Sequence, residues 1–265
     1  MMECREVLQK INEIADVSYA CSWDNVGLLA GRRDKTVSRV TVALDADDRA
    51  VDQAIAGGSD LLVTHHPLIF SPMKRITDET LVGRRLIKML SHDMCLISMH
   101  TNFDIAPGCM GDLAAKRLGL TEYTPLEVTG EGGNGAYGIG VVGTPAEGHV
   151  TVEQLCLQVK EAFDLEGVQL YAPEGMETVT RVAMCPGSGK DEIRYALAVG
   201  AQVLITGDIT YHYATDAVAE GLAIIDAGHY GLEQVFIPFM ASYLKEQLPD
   251  LQVETVAICQ PSRFY

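Results

Sequence analysis

"RVTVALDADDRAVDQAIAGGSDLLVTHH", residues 39–66, is the stretch whose reading decides the fold. It opens on an apolar, β-branched run around Val40 and Val42. It passes into "DDRAVDQAIAGG", acidic at the start and glycine-capped at the end, and returns to a second apolar run, "LLVT". Strand, helix, glycine and strand in that order make a βαβ unit, which sets two parallel strands in a sheet covered by helices. The second strand ends in His65 and His66, stopped by Pro67. Neighbours in a strand point to opposite faces, so two adjacent imidazoles can share a target only where the chain leaves strand geometry. Pro67 places that departure here, because it fixes its own φ and biases His66 away from helix.

The same pattern returns in "RVAMCPGSGKDEIRYALAVGAQVLITGD", residues 181–208. Laid over 39–66 without gaps, it matches Arg39 with Arg181, Val40 with Val182, Ala54 with Ala196, Ala56 with Ala198, Gly58 with Gly200, Leu62 with Leu204 and Thr64 with Thr206. The match reads as an internal duplication. Around these segments the periodicity predicts a helix over 4–15, helices near 78–92 and 110–118, and a strand at 95–99. Further on it predicts a strand at 137–143, helices near 151–163, 190–199 and 211–220, and a long helix over 230–247. Strands are also expected at 168–172, 222–226 and 253–258. The fold class is α/β, with two domains that each carry a helix-covered mixed sheet. The Gly-, Thr- and Glu-rich stretch 121–136 reads as a linker, giving domains 1–126 and 127–265, with a C-terminal segment that can return to the first.

The chain has 265 residues, 48% of them hydrophobic, enough to bury a substantial core. It opens without an apolar signal segment, and no run approaches about 18 uncharged apolar residues. Seven scattered cysteines with no Cys-x-x-Cys argue for reduced thiols. Both features point to a cytoplasmic protein with no membrane partner. A formal charge of −16 weighs against a nucleic-acid surface, which needs basic patches.

Ligands in open α/β sheets bind at the carboxyl ends of strands. Four such ends are rich in ligand-type side chains, at 64–66, 100–104, 206–208 and 226–229. The last runs into a predicted helix carrying Glu233, so His229 and Glu233 stand at i and i+4 on one face. Imidazole nitrogens with carboxylate oxygens, and no thiolate, suit Zn²⁺, Mn²⁺, Fe²⁺, Co²⁺ or Ni²⁺ better than Ca²⁺ or Mg²⁺. His65, His66, Asp104, His229 and Glu233 are five candidates, more than one open zinc site needs. Two ions roughly 3.5–4 Å apart with a bridging carboxylate would use them all. A single histidine at a strand end is more often a hydrogen-bonded structural residue; the adjacent pair and the i, i+4 pair are what favour metal. His92 and His149 lack such companions and read as surface residues.

Together, "SWDNVGLLAG" (22–31), "VTHHPLIF" (63–70), "HTNFDIAPG" (100–108), "ITGDITYH" (205–212) and "DAGHYGLE" (226–233) resemble the NIF3-like family, also called GTP cyclohydrolase 1 type 2 homologues. The resemblance runs from the first helix to the last strand. It implies two intertwined α/β domains, a dinuclear metal site and a ring-shaped homohexamer. It makes His65 and His66 ligands from the HHP motif, Asp104 a ligand from HTNFD, and His229 and Glu233 ligands from GHxxxE, with Glu233 bridging the ions. One departure stands out: "APGCMGDL" puts Cys109 and Gly111 where the family often has Gly and Asn, which puts the start of the following helix in question.

Three features carry two readings each. "CPGSGKD" (185–191) fails the Walker A pattern at Met184 and Asp191, leaving a strand-to-helix glycine turn that is either a plain tight turn or a presenter of backbone N–H groups to an anion. Trp23, the single tryptophan, either stacks on a substrate ring or is buried against the first helix, the expected arrangement. Asp208 and His212, at i and i+4, either orient ligands or substrate or are a helix N-terminal acid and its neighbour. For function, the residues admit a hydrolase acting on a nucleotide or related small molecule through metal-activated water. They also admit a non-catalytic protein that holds or delivers metal.

Overall fold

The computed structural model describes residues 2–133 and 135–258. In chain order the principal elements begin with α1 (Cys4–Asn12), β1 (Gly27–Ala30), β2 (Arg39–Ala43), α2 (Asp48–Ala56), β3 (Leu61–Thr64), α3 (Leu81–Ser91), β4 (Cys95–Ser98) and α4 (Thr101–Ile105). Next come α5 (Met110–Leu118), β5 (Thr121–Gly132), β6 (Gly135–Thr144), α6 (Val152–Ala162), β7 (Gln169–Tyr171), β8 (Val182–Ser188), α7 (Ile193–Ala198) and β9 (Val203–Gly207). The chain closes with α8 (Tyr211–Ala219), β10 (Ala223–Asp226), α9 (His229–Glu233), α10 (Phe236–Gln247) and β11 (Gln252–Thr255). Among the described residues no helix is long and apolar enough to cross a membrane.

These elements form two compact units. One holds the described residues through Ala106 and those from Phe236 onward; the other is Pro107–Val235. Residues 126 and 127, where the sequence reading set its boundary, lie inside β5.

The sheet of the first unit has the order β11-β2-β3-β4-β1. The pairings from β11 to β4 are parallel and β1 is antiparallel to β4. The register sets Ala43 beside Thr64 and Thr64 beside Ser98, so β2, β3 and β4 end level with one another. A hydrogen bond of 2.8 Å between the Thr64 and Ser98 hydroxyls ties two of those ends. Leu62, Leu96, Leu86, Met89, Val51 and Ala54 form a buried cluster in which α2 and α3 cover the sheet. The α10 helix packs against β2 and β11, and Phe236 meets Phe103 edge to face at 5.0 Å. The residues that follow β3 and β4 are therefore set on a closely packed floor.

The second unit has the order β7-β10-β9-β8-β6-β5, with β8, β9 and β10 parallel and the outer strands antiparallel. Ala183, Leu204, Ile224, Ala196, Ala214 and Ala217 are buried together under α7 and α8.

Two sequence expectations are corrected here. The stretch read as a linker is the β5–β6 hairpin, paired from Thr121 with Thr144 to Gly132 with Gly135. Its polar composition follows from exposure, since Leu126 is the one buried residue of β5. Its glycines follow from close approach: a Cβ on Gly138 would collide with the Glu127 carbonyl. The expected long helix over 230–247 is broken between Glu233 and Phe236 into α9 and α10. Pro238 lacks an N–H and occupies the first turn of α10, where that loss is tolerated; in the interior of one long helix it would not be.

Candidate metal centre

In the first unit, the chain leaves the β3 ladder directly after Thr64. The amides of His65 and His66 both donate to the Leu44 carbonyl, at 3.1 and 3.0 Å. This shared acceptor brings the two rings together, with centroids 4.9 Å apart and planes tilted by 47°. His65 is fully buried, and its Nδ1 is 2.7 Å from the Met99 carbonyl oxygen. A carbonyl only accepts, so Nδ1 carries the proton and Nε2 the lone pair. His65 Nε2 lies 3.6 Å from Asp104 Oδ1, which α4 supplies. His66 Nδ1 is held by Asp45 Oδ1 at 2.8 Å. His100, just past the end of β4, is held in the same way by Asp24 Oδ1 at 2.9 Å. Burial is the largest influence on Asp24 and opposes its ionisation, yet the hydrogen bonds from His100 and Thr101 outweigh it and hold the carboxyl down at about 2. Asp24 is thus an ionised acceptor. His65, His66 and His100 each offer a ligand nitrogen within 4.8 Å of the others, close enough to hold a metal ion.

In the second unit, His229 opens α9 and Glu233 closes it. His229 Nδ1 lies 2.8 Å from Asp208 Oδ2, and its Nε2 lies 3.2 Å from Glu233 Oε2. Glu233 is only 3% exposed. Glycines make room for this pair. Gly187, at φ +83, would put an added Cβ 2.5 Å from Glu233 Oε1 and 3.8 Å from His229 Nε2, and a Cβ on Gly207 would collide with the His229 backbone. The strand-to-helix turn read at 185–191 is confined to 189–192, between β8 and α7, and the residues before it are strand. They continue β8 through Ser188, which pairs with Gly207, and line the His229–Glu233 pair.

Asp208, at φ +57, precedes α8, which starts at Tyr211, so it and His212 do not share a helical face. Asp208 turns to His229, while His212 is exposed beside Tyr211. Trp23 departs from its expected burial: it is 61% exposed and meets Phe70 and His100 edge-on at 5.9 and 6.2 Å. The sequence reading missed Asp24 and Asp45 as partners of histidines. Asp45 stands two residues past the end of β2, so the strand-end rule that flagged the candidate ligands reaches it too.

All four histidines thus donate Nδ1–H to an oxygen and present Nε2. That is how metal-binding imidazoles are oriented and made more basic. With carboxylates at Asp104 and Glu233, the donors fit a borderline divalent transition metal.

The model of the Duf34/NIF3 (NGG1p interacting factor 3) family matches residues 2–262. The chain belongs to this family. It is 33% identical over 258 residues to a protein of Clostridium perfringens named GTP cyclohydrolase 1 type 2 homolog, covering 96% of this chain and 95% of that one. A protein of the same name from Streptococcus pneumoniae is 35% identical over 252 residues, covering 94% and 92%. Among solved structures, a Bacillus cereus protein related to NIF3 superposes with a TM-score of 0.93 at 24% identity, over 100% of this chain and 99% of that one; this likeness speaks to the fold. Where this chain departs from the NIF3 pattern, α5 still forms. Cys109 takes the N-cap position, Asp112 accepts from the Gly108 amide at 2.5 Å, and Gly111 packs close to Val141.

Proposed function

We propose that this NIF3-family protein is a metal-dependent hydrolase of a nucleotide or related small molecule. His65, His66, Asp104, His229 and Glu233 would hold two divalent transition-metal ions, with Glu233 shared between them. The observation that carries the reading is the shared orientation of the imidazoles: His65, His66 and His229 each have Nδ1 fixed by an oxygen, so that Nε2 is the ligand atom. A bound divalent ion supplies Lewis acidity and lowers the pKa of water toward neutrality, which is what hydrolysis near pH 7 requires. The protein's own groups hold protons where they are needed. Asp45 and Asp208 keep Nδ1 of His66 and His229 protonated, and Gly187 leaves Glu233 the room a side chain would take.

The relatives' name, GTP cyclohydrolase 1 type 2 homolog, supports a purine nucleotide as substrate. The family resemblance further supports a cytoplasmic homohexamer. The test is hydrolysis of GTP, other nucleotides and phosphoesters by protein loaded with each of Zn²⁺, Mn²⁺, Fe²⁺, Co²⁺ and Ni²⁺. Turnover that disappears with chelator and returns with metal is expected. Metal retained without turnover on any of these substrates would leave a metal-holding protein and end the hydrolase reading.

A further inference from the structure

Beside the first unit's histidines stand two exposed aromatic rings that offer a metal no ligand atom, Trp23 and Phe70. Trp23 is 61% exposed and Phe70 54% exposed, and their ring centroids are 5.9 Å apart. Both rings also meet His100 edge-on, each at 6.2 Å. Large aromatic side chains left this open lose the burial that normally stabilises them, so an exposed pair on a rigid support marks a binding surface.

The support here is rigid. Asp24, whose side chain is fully buried, accepts from Thr101 N at 3.0 Å, Thr101 Oγ1 at 2.6 Å and His100 Nδ1 at 2.9 Å. The Asn25 side-chain Nδ2 donates to the Ile69 carbonyl at 2.6 Å, next to Phe70, the Asn25 backbone N donates to Asp24 Oδ1 at 2.8 Å, and Cys21 N donates to Thr101 Oγ1 at 2.9 Å. The backbone is therefore tied down on both sides of Trp23, while the indole projects into solvent.

We infer that Trp23 and Phe70, with His100 as their inner edge, form a stacking platform for the planar purine ring of the substrate. This rests on the hydrolase reading above and adds to it the residues that select a heteroaromatic ring. The platform adjoins the metal-competent histidines, since the His100 ring is 5.4 Å from His65 and 5.8 Å from His66. A ring laid on Trp23 would thus lie beside the histidines that could hold metal. Stacking needs a π-face and little else, which fits a corner of exposed aromatic rings.

Trp23 is the only tryptophan in the chain, so its fluorescence reports directly on the platform. The experiment titrates full-length, metal-loaded protein with guanosine, GTP and inorganic tripolyphosphate. Saturable quenching by guanosine and GTP, but not by tripolyphosphate, is expected. Calorimetry on Trp23→Leu and Phe70→Leu should show guanosine binding weakened about fivefold or more in each, with metal content and melting temperature as in the parent. In steady state, Trp23→Leu should raise KM for GTP more than it lowers kcat. Absence of quenching by guanosine and GTP, equal quenching by tripolyphosphate, or undiminished guanosine binding in both variants would overturn the platform. The two readings fail separately. Guanosine binding without turnover removes the hydrolase and leaves the platform, whereas turnover with an unchanged KM in Trp23→Leu removes the platform and leaves the hydrolase.

Discussion

Asp45 and Asp208 accept from Nδ1 of His66 and His229, which leaves Nε2 as the nitrogen each ring would offer to a metal. Replacing either with alanine should weaken metal binding about 10- to 100-fold in a chelator competition, with the fold intact by circular dichroism. An unchanged affinity in both would show that these carboxylates do not govern the tautomer. Gly187 makes a sharper case. Gly187→Ala must place a Cβ 2.5 Å from Glu233 Oε1 and hold an L-residue at φ +83, so it should displace Glu233 and cost about 1–3 kcal/mol in denaturant unfolding. Metal affinity should fall with it. At this scale much was legible in advance: adjacent histidines before a proline and a His–Glu pair at i, i+4 are patterns that the chemistry of ligands makes readable. Asp45 lay within reach of the strand-end rule but was passed over, and Asp24 was not legible, because a hydrogen bond spanning 76 positions leaves no local signature.

The two strand–helix–strand segments reuse one local device. Gly58 and Gly200, at φ +70 and +69, turn the chain after α2 and α7. Asp60 then accepts from the amides of Ser38 and Arg39, and Gln202 accepts from those of Thr180 and Arg181. These positions coincide in the gapless alignment of the two segments, which supports reading them as copies. If they are, Asp60→Ala and Gln202→Ala should each cost about 1–2 kcal/mol, the value of two backbone amides left to water, as measured by urea unfolding. A large loss in one and none in the other would argue against an equivalent role. Alternating strands and helices were readable because burial imposes their periods. The strand β6 was legible through its buried run at 140–143, whereas β5 escaped because Leu126 is its one buried residue and leaves no stripe to betray it, and the hairpin's glycines answer to cross-strand contacts.

For the whole molecule, the fold's cooperative stability carries the imprint of one buried acid. Burial pushes the Glu192 carboxyl up to about 7, and the charges of Glu127 and Asp191 push the same way. A folded-state pKa above the ordinary 4.5 means that the folded chain binds the proton more tightly. The contribution of Glu192 to stability is therefore complete below about pH 4.5 and is lost as pH rises toward 7. Glu192→Gln should gain on the parent across that interval, by up to a few kcal/mol, because each tenfold difference in proton affinity between the folded and unfolded chain is worth about 1.4 kcal/mol. Melting curves of both proteins at pH 4.5 and pH 8 read this directly. A stability difference that does not change with pH would mean that Glu192 titrates normally.

If five side chains share a pair of cations through the Glu233 carboxylate, both ions depend on that one residue. Elemental analysis of protein purified without added metal, alongside Glu233→Gln, tests it most directly. About two divalent transition-metal ions per chain are expected in the parent, and the loss of both in the variant. A parent free of such ions after metal loading, or a variant that gives up only one of two, would contradict that arrangement.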